Sequence, residues 1–209
     1  QIINTGVANI KSLEAAFERL GQRWKLTDSA SDVATASHVV LPGVGAFAAA
    51  IERVDQLGLR DAIVMRAADP NAATLCICLG MQLLCDSSQE SENIAGLGVL
   101  PNRVLRFPAH VPVPQLGWNS VTPANDDHQG GPFYEPGEAY FANSFRLTEP
   151  PPDGWGFAVT DYGGSFISSV WRGRLLACQF HPELSGQWGQ QLLSNWVAGT
   201  RLNNPLGAR

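Results

Sequence analysis

The chain has 209 residues, a net charge of −5, and 44% hydrophobic against 16% charged side chains. That apolar content can fill the core of one domain, which excludes a disordered segment. The 14 lysines and arginines, set against 19 acidic residues, form no basic run, so nucleic acid is not an expected partner. Nor is a membrane, because no apolar stretch approaches the roughly 18 residues of a span.

Taken in order, Ile2-Ile3-Asn4 ends a first strand, and Gly6 turns the chain. Asn9 is placed to cap a helix in which Ile10, Leu13, Phe17 and Leu20 recur at helical spacing until Gly21. Trp24 to Thr27 and His38 to Leu41 read as strands, the latter running into Pro42-Gly43-Val44-Gly45. Two amphipathic helices follow, one carrying Phe47, Ile51 and Val54, the other Leu59, Ile63 and Val64, with Gly58 between them. Next comes TLCICLGMQLL (74–84), a buried strand up to Cys78 that continues as an apolar helix. Alternation of this kind predicts a doubly wound, mostly parallel sheet with helices on both faces, and ligands beyond the strands' carboxyl ends. From about residue 94 short strands dominate: Val99–Phe107, Val111–Val121, Tyr140–Leu147, Gly156–Thr160, Phe166–Trp171 and Leu175–Phe180. The Pro/Gly/Asn/Asp-rich stretch Pro123–Gly137 needs no structure of its own. A last helix carries Trp188, Leu192, Leu193, Trp196 and Val197, with Ser185 as its cap, and a tail occupies 200–209. The chain opens at Gln1 inside a strand-like segment and without a secretory leader, so an initiator Met is expected upstream.

Cys76, Cys78, Cys85 and Cys178 all lie in apolar runs, as reduced thiols of a cytoplasmic protein would. Neither a CxxC nor a histidine ligand spacing occurs, so no metal or other cofactor is expected. Cys76 and Cys78 are two apart and would share one face of a strand. Cys78 stands where an α/β protein places a nucleophile, between a strand's end and a helix's start. Such placement can lower a cysteine pKa from about 8.5 to roughly 3.5–7.5; a small buried hydrophobe is the other reading. His181 and Glu183 flank Pro182, which favours an extended His181 and puts both side chains on one side. Nucleophile, base and orienting carboxylate would then form a Cys-His-Glu triad.

LPGVGAF (41–47), CLGMQLL (78–84), LGWNSV (116–121) and QFHPELSG (179–186) resemble the class I glutamine amidotransferases, most closely the glutaminase subunits of imidazole glycerol phosphate synthase. The resemblance implies one amidotransferase domain over 1–199, α/β, with a central mostly parallel sheet and a smaller antiparallel region. It implies hydrolysis of L-glutamine to glutamate and ammonia through a thioester on Cys78, with His181 moving the proton and Glu183 holding the imidazole. Oxyanion donors would be the backbone N–H of Leu79 and one from the Gly43-Val44 turn. Gly45, Gln82, Asn143 and Ser144 would surround the substrate. Ammonia would pass to a (β/α)8-barrel cyclase subunit in a heterodimer, docked against Asn9, Gln115, Trp118 and Asn119. Gln82 also reads as an exposed helix residue, and Trp118 as a core tryptophan.

Four residues depart from that pattern: Cys76 for a glycine, Asn143 and Gln115 for histidines, and Phe145 for a tyrosine. Two other functions therefore stay open: a glutaminase serving another synthase, and a non-catalytic docking subunit.

Overall fold

The computed structural model describes residues 1–6, 9–124 and 136–199. The first half alternates as expected: β1 (Ile2–Ile3), α1 (Ile10–Arg19), β2 (Leu26–Thr27), α2 (Ala30–Thr35), β3 (His38–Gly43), α3 (Phe47–Gln56), α4 (Arg60–Ala68), β4 (Ala73–Cys78) and α5 (Leu79–Leu83). The second half is strand-rich: β5 (Cys85–Ser88), β6 (Leu100–Arg106), β7 (Gln115–Pro123), β8 (Gly137–Asn143), β9 (Phe145–Leu147), β10 (Gly156–Asp161), β11 (Ser165–Arg172) and β12 (Leu175–Cys178). A 3₁₀ turn (Pro182–Leu184) then leads into α6 (Gly186–Ala198).

β4 is buried at every position and pairs in parallel with β3 on one side and β12 on the other. Burial on both faces is why its sequence is continuously apolar rather than alternating. Side-chain parity sends Val39, Leu41 and Cys76 into a core with α3 and α4, where Phe47, Ile51, Val54 and Ile63 pack. The opposite parity sends Val40, Leu75 and Ile77 into a second core with Leu13 and Phe17 of α1 and Leu192, Leu193 and Trp196 of α6. Helices therefore cover both faces, and the strand ends are left to build a site.

The strand order is β2-β1-β3-β4-β12-β11-β10-β7-β8, with β5, β6 and β9 branching from it. β12 is the hinge of this arrangement, parallel to β4 and antiparallel to β11. The antiparallel region is thus continuous with the parallel one, and among the described residues it is of similar extent rather than a smaller appendage.

Other boundaries differ for identifiable reasons. The helix after Cys78 stops at Leu83, because β5 must extend to pair with β6. The strand expected from Val111 begins at Gln115, since Pro112 and Pro114 have no N–H to give a ladder. The expected Tyr140–Leu147 strand divides at Ser144; β8 pairs with β7, while β9 crosses to β6 and β11. The helix α2 was not expected, since among its residues only Val33 is buried. It is held by the Ser29 hydroxyl, which accepts from Asp32 N–H, and by the buried Arg66, which donates to the carbonyls of Val33, Ala36 and Ala73. Asn9 and Ser185 hold the cap positions of α1 and α6, yet neither side chain caps. Most of the Pro123–Gly137 stretch and the 200–209 tail lie outside the described residues.

Candidate active site

Cys78 ends β4 with φ 54° and ψ −111°, the positive φ found at no other non-glycine among the described residues. A non-glycine residue persists there only where its surroundings over-determine it, at a cost of about 1–3 kcal/mol, and such outliers cluster at active sites. Two glycines make the turn possible by close approach. A side chain at Gly80 would drive into the Leu41 carbonyl, and one at Gly43 would come within 2.9 Å of the Leu79 Cβ. Gly43 is also the ladder partner of Cys78, so the ends of β3 and β4 form one wall.

The same backbone twist corrects the expectation that Cys76 and Cys78 share a face. Cys76 packs in the core with α3 and α4, whereas Cys78 joins the opposite core. Cys76 is fully buried between Leu41 and Ala177 in the ladder, so its extra bulk does not reach the turn. Burial pushes the Cys76 thiol up to about 12 and raises those of Cys85 and Cys178 as well. These three are inert core thiols.

His181 follows β12, and β12 lies beside β4 with Cys178 level with Ile77. That register brings the imidazole to the cysteine. The His181 N–H donates to the Tyr140 carbonyl at 2.9 Å, and its own carbonyl accepts from Ser185 Oγ at 2.6 Å. His181 is extended as expected (φ −101°, ψ 94°), but Pro182 starts a 3₁₀ turn rather than further extended chain, its fixed φ suiting the first position of a turn. Glu183 still returns to the ring: its Oε1 lies 2.8 Å from His181 Nδ1, with both residues buried. This leaves Nε2 for Cys78, with which His181 also hydrogen-bonds.

Burial opposes an imidazolium here, but the hydrogen bonds and charges of Cys78 and Glu183 outweigh it and push His181 up to about 10. A folded-state pKa above the ordinary 6.5 contributes stability that is complete below about pH 6.5 and lost as pH rises through about 10. The melting-temperature deficit of Glu183→Gln relative to wild type is therefore expected to be largest at pH 6.5 and to shrink toward pH 10. A deficit independent of pH would mean that Glu183 acts only through packing.

Beside Cys78 opens a cavity of about 160 Å³ lined by Val44, Gly45, Leu79, Gln82, Glu90, Ala142, Asn143, Ser144 and Phe145. It is small beside the roughly 300–1,000 Å³ of sites for drug-sized ligands, and suits a small metabolite. All four residues expected around the substrate, Gly45, Gln82, Asn143 and Ser144, line it. Gln82 is buried, not the exposed helix residue of the alternative reading. Asn143 is buried too, its amide donating to the Phe145 carbonyl at 2.9 Å. Glu90 was missed. Its Oε2 accepts from Phe47 N–H at the start of α3 (2.9 Å), and the residue lines the cavity. An acidic residue in a polar loop carries no local signal of this.

The expected docking residues separate. Trp118 is 57% exposed and Leu116 66%, so Trp118 is not a core tryptophan. Asn9 is exposed, and Asn119 donates to the Asp161 carbonyl. Gln115 departs from expectation: it is 3% exposed, because strand parity turns it inward opposite Asn143, so its side chain is not available to a partner.

A thiol on a strained strand-to-helix turn, a buried His-Glu pair and a small cavity are the parts that acyl transfer by a cysteine nucleophile requires. The chain matches the family Glutamine amidotransferase class-I over residues 1–199, and it belongs to that family. It is 40% identical over 195 residues to "Imidazole glycerol phosphate synthase subunit HisH" of Symbiobacterium thermophilum, spanning 93% of this chain and 91% of that one. It is 36% identical over 203 residues to "Imidazole glycerol phosphate synthase hisHF, chloroplastic" of Arabidopsis thaliana, spanning 94% of this chain but 33% of the longer plant protein. A solved glutamine amidotransferase shares the fold, with a TM-score of 0.73 at 18% identity over 95% of this chain and 99% of that one.

Proposed function

We propose that this chain hydrolyses L-glutamine and supplies the ammonia to an imidazole glycerol phosphate synthase reaction in histidine biosynthesis. The observation that carries this is the Cys78–His181–Glu183 arrangement, with Cys78 in the wall of a cavity sized for one amino acid. The Cys78 thiolate attacks the carboxamide carbon. The tetrahedral oxyanion is met by the backbone N–H of Leu79 and one from the Gly43-Val44 turn, where donors placed for developing charge act most strongly. His181, carrying the proton taken from Cys78, gives it to the departing ammonia, leaving a glutamyl thioester; it then takes a proton from the attacking water, and collapse releases glutamate and restores the thiolate beside the protonated imidazole.

Glu90 carries the one carboxylate among the cavity-lining residues, and Oε1 is not the oxygen bonded to Phe47. It is suited to hold the α-ammonium of the substrate. A charge-assisted hydrogen bond is worth about 1.5–3 kcal/mol, so Glu90→Gln is expected to raise KM for glutamine about 10- to 100-fold with kcat nearly unchanged. A fall in kcat at constant KM would move Glu90 from binding to chemistry.

The relatives are named as synthase subunits, or carry this region as a third of a longer synthase, which supports a partner for the ammonia. A (β/α)8 cyclase subunit would dock on the face presenting Leu116 and Trp118, forming a heterodimer in the cytoplasm. Tryptophan is among the residues that most often carry interface energy. Among the described residues no helix is long and apolar enough to cross a membrane. Glutamate release, measured with and without a cyclase subunit, tests the whole reading. Release that rises with the cyclase supports it, and release unaffected by any cyclase contradicts the partner.

A further inference from the structure

We infer that Gln179 is a positioning residue for the nucleophile, part of a buried amide relay that aims an N–H at the Cys78 sulfur. This rests on the glutaminase reading and adds a residue to its machinery. Gln179 follows β12 two residues before His181, and it is fully buried. Its backbone N–H continues the sheet by donating to the Ser168 carbonyl at 2.9 Å, which fixes where the side chain starts.

The direction of the relay follows from its far end. The Phe145 carbonyl is an acceptor only, so the end of the Gln82 amide that meets it at 3.3 Å must be the NH₂. The same Nε2 donates to Gln179 Oε1 at 2.9 Å. With its oxygen held there, Gln179 has to present its NH₂ on the other side, and Nε2 lies 3.6 Å from Cys78 Sγ. Neither amide can flip without setting two acceptors or two donors face to face in a buried site, where an unsatisfied polar group is costly. Asn143 also donates to the Phe145 carbonyl, fastening the anchor to the cavity wall.

The sulfur is therefore served from two directions, by the His181 ring and by the Gln179 amide. An N–H aimed at sulfur restricts where the sulfur can sit before attack. Burial makes this count, because no water reaches Gln179 to compete. A consequence falls on Gln82: both of its N–H groups are spent inside the relay, so toward the substrate it offers an oxygen only.

The test is the pH profile of Cys78 alkylation by iodoacetamide, followed by mass spectrometry of the Cys78 peptide, in wild type, Gln179→Leu and Gln179→Met. Methionine keeps the length and much of the volume without a donor, and so stands in if the leucine variant does not fold. Loss of the N–H is expected to slow alkylation about tenfold throughout the profile, equivalent to about 1.4 kcal/mol. The kcat/KM for glutamine should fall about tenfold, with KM within about twofold of wild type. A residue that only packs would lower the melting temperature and leave the alkylation rate in place. An unchanged rate in a folded variant overturns the inference. Because alkylation needs no turnover, that result stays distinct from failure of the glutaminase reading, which would appear as wild-type chain releasing no glutamate with a cyclase present.

Discussion

Cys78→Ala is expected to lower glutamate release by about 10⁴-fold or more, while the melting temperature stays near that of wild type. Removing a nucleophile from a triad that acts as a unit typically costs more than 10⁴ in kcat, because the remaining base and carboxylate have nothing to activate. Alanine keeps the β-carbon and its positive-φ strain, so the turn at the end of β4 should survive. Loss of activity accompanied by unfolding would assign Cys78 a structural role. Glutamate release within about tenfold of wild type would remove it from the chemistry, and no other cysteine is placed to replace it: Cys76, Cys85 and Cys178 are buried, with raised thiol pKa values.

Gly80→Ala should act on the fold. Its added carbon would enter the Leu41 carbonyl, a backbone atom locked in the β3–β4 ladder. Nothing there is a flexible side-chain end that could move aside. Overpacking of this kind costs about 3 kcal/mol, which lowers the melting temperature of a chain this size by about 6–12 °C. Thermal unfolding checks it, and glutaminase activity should fall as well, because β3 carries Gly43 to the site. A melting temperature within about 1 °C of wild type would mean that the turn has room that its geometry denies.

Both predictions rest on a part of the molecule that was legible in the residues alone. An all-apolar run ending in Cys-Leu-Gly has few structural solutions, and the Gly43–Gly45 turn at the next strand's end fits the same wall. Pro182 favoured an extended His181, which the chain adopts, but gave no sign of the 3₁₀ turn that it opens. What stayed hidden depends on contacts far apart in sequence. The helix α2 is held by Arg66, some 30 residues away, and has no periodicity of its own. Parity could not show that Cys76 and Cys78 part company, because the positive φ of Cys78 belongs to the packed turn. Glu90 and Gln179 sit in ordinary polar and strand contexts. Their roles appear only when α3 and α5 are brought against them. Gln115 and Trp118 lie three apart near a Gly-Trp-Asn turn, yet opposite strand faces make one buried and the other exposed.

These observations also decide how the departures from the family pattern are read. Asn143 and Phe145 leave the cavity formed rather than collapsed, and the relay through the Phe145 backbone carbonyl does not depend on its side chain. Cys78, His181 and Glu183, the residues proposed to act, are all present, and Glu183 holds the His181 ring. A docking subunit without chemistry would have no need of a strained cysteine in the wall of that cavity.

The most direct measurement is rapid acid quench of glutamine turnover in the presence of the cyclase subunit, followed by peptide mass spectrometry. A glutamyl adduct on the Cys78 peptide, absent at zero time and cleared on chase with unlabelled substrate, is the predicted result. Glutamate formed with no adduct on Cys78, or with the adduct on another cysteine, would contradict it.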